Sequence, residues 1–232
     1  ARGLDLGGDV MTGKQGESRK YQAAGPQAEF EPGSRGRVLR NLLGITRVAD
    51  MKLAESQALL LAQRHAVESY SEDHRFTAAD IGNLHRDWLG PIYVWAGKYR
   101  DVNLGKDGFQ FAHAPLVSGL MAELARGPLA RYTPCRPAPD AQLANALAVV
   151  HAELILIHPF REGSGRIARL LAVLMGLQAG LPPLDFSALE GKGKGRYIAG
   201  IHAAVGHDYT PLAEMFLRVI ARTWKRAASS IR

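Results

Sequence analysis

The stretch His158-Pro-Phe-Arg-Glu-Gly-Ser-Gly-Arg-Ile-Ala-Arg169 decides the fold of this chain, because it joins two long apolar segments. One runs from residue 141 to 157 and the other from 167 to 177. Pro159 has no backbone N–H and disfavours helix at the residue before it, so the first helix should end at His158. We expect this histidine to project from a helix end into a loop.

The glycines that follow predict an anion site. Gly163, Ser164 and Gly165 permit a tight turn and leave backbone N–H groups uncovered. The next helix begins about here, and its first N–H groups have no partner within the helix. Arg166 and Arg169 are three residues apart, so their side chains should rise on one face beside this cradle.

Glu162 has the opposite charge. A carboxylate among phosphate-binding groups is repelled by phosphate unless a cation lies between them, and Mg²⁺ is the usual one. The stretch therefore predicts a polyphosphate bound with Mg²⁺ on Glu162, with His158 placed as a general base.

This stretch resembles the signature of Fic-domain proteins, His-Pro-Phe-x-Asp/Glu-Gly-Asn-Gly-Arg-x-x-Arg, at every fixed position but one. The segment before Tyr99 and Arg100 also resembles the family's aromatic-Ala-Gly-x-x-Arg segment. The resemblance implies an all-α Fic-type helical bundle with a short β-hairpin flap over the active site. It also implies transfer of a nucleotide monophosphate, most often AMP from ATP, to a hydroxyl of a target protein. The departure is Ser164, where the family's asparagine helps to hold the α-phosphate.

The expected cofactors are ATP and Mg²⁺. The β- and γ-phosphates would lie on the amides of residues 163–165, with Arg166 and Arg169 neutralising their charge. His158 would take the proton from the Ser, Thr or Tyr hydroxyl of the target as it attacks the α-phosphorus. Tyr197 is a candidate to reach the base of the nucleotide. Phe160 should anchor the loop in the core, and Arg161 should face solvent.

Residues 102–112 alternate around Gly105-Lys106-Asp107-Gly108, which predicts a β-hairpin. By position the hairpin resembles the Fic flap, which in the family pairs with the backbone of the target. Phe109 and Phe111 are candidates to clamp the target, although one of them could simply pack inward. Lys106 is a candidate phosphate or target contact, or a solvated turn lysine.

Other helices follow from caps and apolar periodicity. Thr46 is a candidate N-cap for the helix before Tyr70, and Thr77 for the helix after Phe76. Asp140 should cap the helix that ends at Ile157, which is apolar almost all round and should be the buried central helix. The expected organisation is a flexible leader (1–40), an N-terminal helical extension (41–72), a Fic domain (73–226) and a frayed tail (227–232).

Many Fic proteins carry an inhibitory helix with the pattern Ser/Thr-x-x-x-Glu-Gly/Asn. Asp50 and Glu55 are the candidate acids in this chain, but neither lies in a matching pattern, and both are expected on a solvated helix face. Thr210 and Glu214 have the spacing, but Pro211 argues against it. The sequence therefore does not support self-inhibition.

Two histidines outside the motif need an interpretation. His85 lies on an apolar helix face and is expected to be a satisfied core histidine. His151 lies seven residues before His158, roughly on the same face, but without a cysteine cluster or a His-Glu-x-x-His pattern we do not predict a metal site there.

Composition bounds the remaining choices. The chain has 232 residues, 47% of them hydrophobic, and a net charge of +7. A basic protein favours acidic partners, whether nucleotide, nucleic acid or acidic protein. One cysteine, Cys135, excludes an internal disulfide and fits the cytoplasm. No membrane span or signal peptide is predicted, and translocation into another cell is left open.

Three functions compete. The first is a protein AMP transferase that acts on a target protein. The second is a Fic-type enzyme with another nucleotide donor, which Ser164 keeps open, or one that removes AMP. The third is a non-catalytic module that binds nucleotide or nucleic acid, and it ranks last because no helix-turn-helix or RNA-binding signature is visible.

Overall fold

The computed structural model describes residues 22–24, 27, 29–106, 108–189, 191 and 193–230. Eight α-helices and three short strands are distinguished in these ranges. The helices are α1 (Val48–Ser69), α2 (Ala78–Leu89), α3 (Val117–Leu124), α4 (Ala130–Tyr132), α5 (Asp140–Ile157), α6 (Ser164–Gln178), α7 (Gly193–Ala204) and α8 (Thr210–Ser230). The strands are β1 (Gln22–Ala24), β2 (Asn103–Lys106) and β3 (Phe109–Gln110). A π-helical turn (Ala125–Leu129) joins α3 to α4, and 3-10 turns cover Ala114–Leu116 and Phe186–Leu189.

Helix α5 is the centre of the bundle, as its apolar sequence predicts. It packs against α3, α6, α7 and α8, and twelve of its side chains are buried. Within the described ranges it is the one helix whose length and apolar composition would allow it to cross a membrane. Because 67% of that span is buried inside the protein, α5 has the surroundings of a core helix.

The predicted helix ends are confirmed in part. The Thr77 hydroxyl accepts a hydrogen bond from the Asp80 backbone N–H at 3.2 Å, and the Asp80 carboxylate accepts one from the Thr77 N–H at 2.8 Å. This capping box opens α2. The prediction for Thr46 is wrong, because α1 begins at Val48, after Arg47. Asp140 is the first residue of α5 rather than its cap.

The predicted β-hairpin is confirmed. Strands β2 and β3 are antiparallel, with Gly105 opposite Gln110 and Lys106 opposite Phe109. Strand β1 adds a third strand on the other side of β2, which the sequence did not predict. The all-α bundle therefore carries one small sheet, formed by the hairpin and a piece of the leader.

The leader and the tail differ from the expected domain boundaries. Val38 is buried, and the Glu31 N–H donates to the Val38 carbonyl at 2.8 Å, so residues 29–40 are held against the bundle. Residues 1–21 lie outside the described residues. The last helix continues to Ser230, beyond the predicted start of fraying at residue 227. Helix α1 packs on α2 and α6, so the predicted extension is part of the bundle.

Candidate active site

His158 occupies the end of α5 in a left-handed backbone conformation, with φ 49° and ψ 62°. This conformation is uncommon for a residue with a side chain, and it turns the chain sharply into the Pro159 loop. The imidazole Nδ1 lies 3.4 Å from the carbonyl oxygen of Ile155. A carbonyl can only accept, so Nδ1 carries the hydrogen in this contact, and the lone pair of the neutral ring is on Nε2.

Arg100 holds the turn at His158. Its Nε donates to the His158 carbonyl at 2.7 Å, and its Nη1 donates to the Val102 carbonyl at 2.7 Å. Its Nη2 donates to the carbonyls of Ile157 and Ala112. The guanidinium is buried, which lowers the pKa of Arg100 to about 10. Arg100 thus connects the end of α5 to both ends of the hairpin. In the sequence, Arg100 is only part of a segment that resembles one in the Fic family, and the sequence did not predict this structural role.

The hairpin covers the imidazole. Phe111 stacks on His158 with ring centroids 3.9 Å apart, and the histidine is only 4% exposed. The sequence predicts a side chain projecting into a loop, and the structure places that side chain under an aromatic lid. Burial lowers the pKa of His158 to about 3, while the nearby Glu162 charge acts in the opposite direction. The ring is therefore neutral at pH 7.

The other two flap candidates lie in the same neighbourhood. Phe109 meets Phe111 edge to face at 5.4 Å and stacks on His202 of α7 at 4.9 Å. The positive charge of Lys106 lowers the pKa of His158, so this lysine is close to the imidazole. Phe111 and Lys106 thus lie beside His158, and Phe109 lies beyond Phe111. Target binding by these three side chains stays a prediction.

Helix α6 begins where the glycines predict, with its N-cap at Gly163 and its first residue at Ser164. Gly163 has φ +88°, and a Cβ there would lie 2.5 Å from the Trp88 ring. The Ser164 hydroxyl is buried and accepts from the Phe160 N–H at 3.1 Å. This side chain therefore fastens the loop. The predicted phosphate contact of residue 164 is through its backbone amide and stays a prediction. Gly165 follows in the first turn of α6, where the predicted cradle amides lie.

Arg166 is held by two carboxylates and one aromatic ring. Its Nη2 lies 2.8 Å from Glu55 Oε2 and 3.3 Å from Glu162 Oε1, and its guanidinium carbon lies 4.4 Å from the Trp88 ring centroid. The Tyr93 hydroxyl donates to the other Glu55 oxygen at 2.9 Å. The prediction that Glu55 lies on a solvated face is wrong, since it is 7% exposed and faces the site.

The second motif arginine lies in a different cluster. His151 Nε2 and the Tyr197 hydroxyl are 2.8 Å apart, and the charge of Arg169 acts on both groups. Burial lowers the pKa of His151 to about 4. Among the described residues, Arg169 Nε is buried without a hydrogen-bond partner. Tyr197 and Arg169, both predicted to contact nucleotide, are therefore brought together.

Arg161 does not face solvent, and that prediction is wrong. It is 5% exposed, and its Nε donates to the Gln27 carbonyl at 2.9 Å. The contact joins Arg161 to the leader, 134 positions away in sequence. A contact over this separation cannot be predicted from the residues that neighbour Arg161 in sequence.

Phe160 and His85 support the motif loop from below. Phe160 is fully buried, as predicted, and stacks on His85 at 3.8 Å. His85 Nδ1 accepts from the Gly97 N–H at 2.8 Å, and its Nε2 lies 3.0 Å from the Glu162 carbonyl. His85 is thus the satisfied core histidine that the sequence predicts, and burial lowers its pKa to about 4.

Glu162 is the residue expected to hold Mg²⁺. Its Oε1 accepts from the Gly163 N–H at 3.1 Å, so the carboxylate lies at the start of α6, and its side chain is 15% exposed. No cluster of three or more His, Cys, Asp or Glu side chains that could hold a metal occurs in the described part of the chain. One hard carboxylate fits Mg²⁺ that takes most of its ligands from phosphate and water.

The sequence of this chain is similar to those of known proteins. The model of the Fic/DOC family matches residues 75–175. Protein adenylyltransferase VbhT of Bartonella schoenbuchensis is 30% identical over 173 residues, which are 74% of this chain and 35% of that protein. Probable protein adenylyltransferase y4lH of Sinorhizobium fredii is 33% identical over 141 residues, 59% of this chain and 69% of that protein. The chain thus spans about a third of the Bartonella relative.

Solved structures share the fold. The BepC protein of Bartonella tribocorum with bound AMPPNP has a TM-score of 0.65 at 22% identity, over 79% of this chain and 92% of that one. The N-terminal Fic domain of a Bartonella quintana protein has a TM-score of 0.65 at 22% identity, over 79% and 88%. These structures show the fold, and the family match together with the 33% identical relative shows that the chain belongs to the Fic/DOC family.

Proposed function

We propose that this chain is a protein adenylyltransferase that transfers AMP from Mg-ATP to a Ser, Thr or Tyr hydroxyl of a target protein. The observation that carries the proposal is the neutral imidazole of His158 beside the N-terminus of α6. Two relatives named as adenylyltransferases, one of them only probable, support the reaction class. The BepC structure, which holds AMPPNP, supports ATP as the nucleotide.

His158 is the general base in this proposal. The target hydroxyl attacks the α-phosphorus, the bond from that phosphorus to the bridging oxygen breaks, and pyrophosphate leaves. The proton of the hydroxyl goes to Nε2, because Nδ1 already carries a hydrogen towards Ile155. The lowered pKa of His158 keeps this nitrogen unprotonated at pH 7. Movement of Phe111 must open a path for the hydroxyl.

The start of α6 binds the phosphates. Backbone N–H groups of residues 163–165 and the positive end of the helix dipole favour the β- and γ-phosphates. Arg166 and Arg169 supply positive charge, and Tyr197 packs near the base. Glu162 would hold Mg²⁺, which supplies charge neutralisation on the phosphates when bound.

The flap binds the target. A hairpin edge offers backbone N–H and C=O groups to an extended segment, which gives affinity without requiring one particular sequence. Phe109, Phe111 and Lys106 would contact side chains of that segment. We place the reaction in the cytoplasm, where a single unpaired cysteine is the usual pattern.

Labelled nucleotides and His158→Ala test the proposal. With a cell lysate as the source of targets, label should pass to protein from α-labelled ATP and not from γ-labelled ATP. His158→Ala should abolish labelling and leave ATP binding within about twofold, since the base acts only on the hydroxyl. His65→Ala, an exposed histidine on α1, is the matched control. Transfer by His158→Ala at near the wild-type rate would show that the base is assigned wrongly.

Parallel reactions with GTP, UTP and CTP separate the alternatives. Label from one of these in preference to ATP would indicate another nucleotide donor. Release of AMP from a labelled protein without net transfer would indicate the reverse reaction.

A further inference from the structure

Strand β1 lies along the outer edge of the flap. Gln22 is opposite Gly105, Ala23 is opposite Leu104 and Ala24 is opposite Asn103, in antiparallel register. This edge is the side of β2 that does not face β3.

The direction of the backbone groups in β2 follows from one contact to Phe111, the residue directly after β3. The Phe111 N–H donates to the Leu104 carbonyl at 3.1 Å, so the backbone of Leu104 faces β3. Successive residues of a strand direct their N–H and C=O groups to opposite sides, so Asn103 and Gly105 face β1. Their register partners, Gln22 and Ala24, therefore make the hydrogen bonds of β1, whereas the N–H of Ala23 points away from β2.

A second contact fastens the same piece of leader to the catalytic motif. The buried Arg161, three residues after His158, donates to the Gln27 carbonyl at 2.9 Å. The leader thus touches the flap at β1 and the motif loop at Gln27. Both contacts are made by backbone atoms of the leader, so neither depends on the identity of a leader side chain.

Three paired residues make a weak strand, because strands of globular proteins usually have about five or six. The short covalent connection between β1 and the rest of the chain compensates for this weakness. Five residues separate Ala24 from Phe30, which forms an anti-parallel bridge with Leu39. A short tether gives a segment an effective concentration on the order of millimolar at its site. Such a strand occupies the edge, and an external segment with better contacts can replace it.

We propose that β1 occupies the flap edge on which the backbone of a target protein pairs, so that an extended segment of the target must displace it before transfer. This inference rests on the proposed function. The backbone groups of Asn103 and Gly105 that face β1 can pair with one strand at a time. The leader is therefore an intramolecular competitor of the target.

Amide exchange tests the strand without any activity. Ala24→Pro removes a backbone N–H that faces β2, and Ala23→Pro removes one that points away. We expect the amides of Asn103 and Gly105 to exchange about fivefold faster in Ala24→Pro, the loss that one hydrogen bond supports. The Phe111 amide, which faces the other side of β2, should be unaffected. Unchanged exchange at residues 103 and 105, or equal acceleration in Ala23→Pro, overturns the inference.

Transfer from α-labelled ATP to lysate proteins tests the competition. Ala24→Pro should label targets about fivefold faster than the wild type, by the same hydrogen-bond estimate, and Ala23→Pro should match the wild type. Equal rates for all three proteins would show that β1 does not compete. If the wild type and both variants bind ATP but label no protein, the proposed function is contradicted. In that case amide exchange still decides whether β1 pairs with the flap edge.

Discussion

Glu55 is the residue on which sequence and structure differ most. In the sequence it is one acid of a long amphipathic helix, with no pattern that links it to the motif. In the structure it closes a network with Tyr93 and Arg166 and is 7% exposed. The pairing depends on how α1 is rotated and shifted against α6, which is a tertiary property that helical periodicity leaves undetermined. His158 and Glu162, by contrast, were identified because their neighbours in sequence are also their neighbours in space.

Glu55→Gln should destabilise the protein. A neutral amide leaves the charge of Arg166 facing Glu162 alone and weakens the bond from Tyr93. We expect a loss of about 1–3 kcal/mol in the free energy of unfolding, less than for a fully buried pair because Arg166 is 28% exposed. Urea denaturation measures it. Asp50→Asn, on the exposed face of the same helix, should change stability by less than about 0.5 kcal/mol. Equal losses in the two variants would contradict a special role for Glu55.

The loop between α5 and α6 is the element that local sequence determined best. Pro159 predicts the end of α5, and the glycines predict the start of α6 within two residues. The reason is that proline and glycine act through their own backbone dihedrals. Strand β1 could not be predicted in this way, because Gln-Ala-Ala has none of the β-branched or aromatic residues that favour strands. It exists because the hairpin offers it an edge.

Gly163→Ala should damage this loop. The substitution forces a side chain onto a backbone with φ +88° and places Cβ 2.5 Å from the Trp88 ring, so the ring or the loop must shift. We expect a loss of about 2–4 kcal/mol in the free energy of unfolding, from backbone strain and overpacking together. Thermal or urea unfolding gives the value.

Gly165→Ala is the matched control for this position. A Cβ there meets only Ile155 Cδ1 at 3.9 Å, an ordinary contact, and the position is helical. Stability should stay the same or rise by up to about 1 kcal/mol, since alanine favours helix over glycine. If both variants lose the same stability, the strain at residue 163 is not the cause.

Across the whole molecule, buried histidines occur both in the core of the bundle and in the candidate active site. His85 and His151 are buried in the bundle, and His158 is buried beneath the flap. All three have a pKa well below the ordinary value of 6.5, at about 4, 4 and 3, because burial disfavours the charged ring. The sequence predicted a core role for His85 alone, because burial under a flap or against Tyr197 depends on distant segments.

The three buried histidines predict that stability falls as the pH is lowered below about 6.5. In the unfolded chain each ring binds a proton below this value, whereas in the folded protein it stays neutral until about pH 4 or 3. Protons therefore favour the unfolded chain across this window. Each histidine contributes a slope of up to about 1.4 kcal/mol per pH unit, so three contribute up to about 4 kcal/mol per pH unit.

Urea unfolding at pH 7, 6, 5.5 and 5 measures this slope of the free energy of unfolding against pH. His151→Gln should reduce this slope by about a third. A free energy of unfolding that stays constant from pH 7 to pH 5 would mean that these rings are accessible to protons in the folded protein.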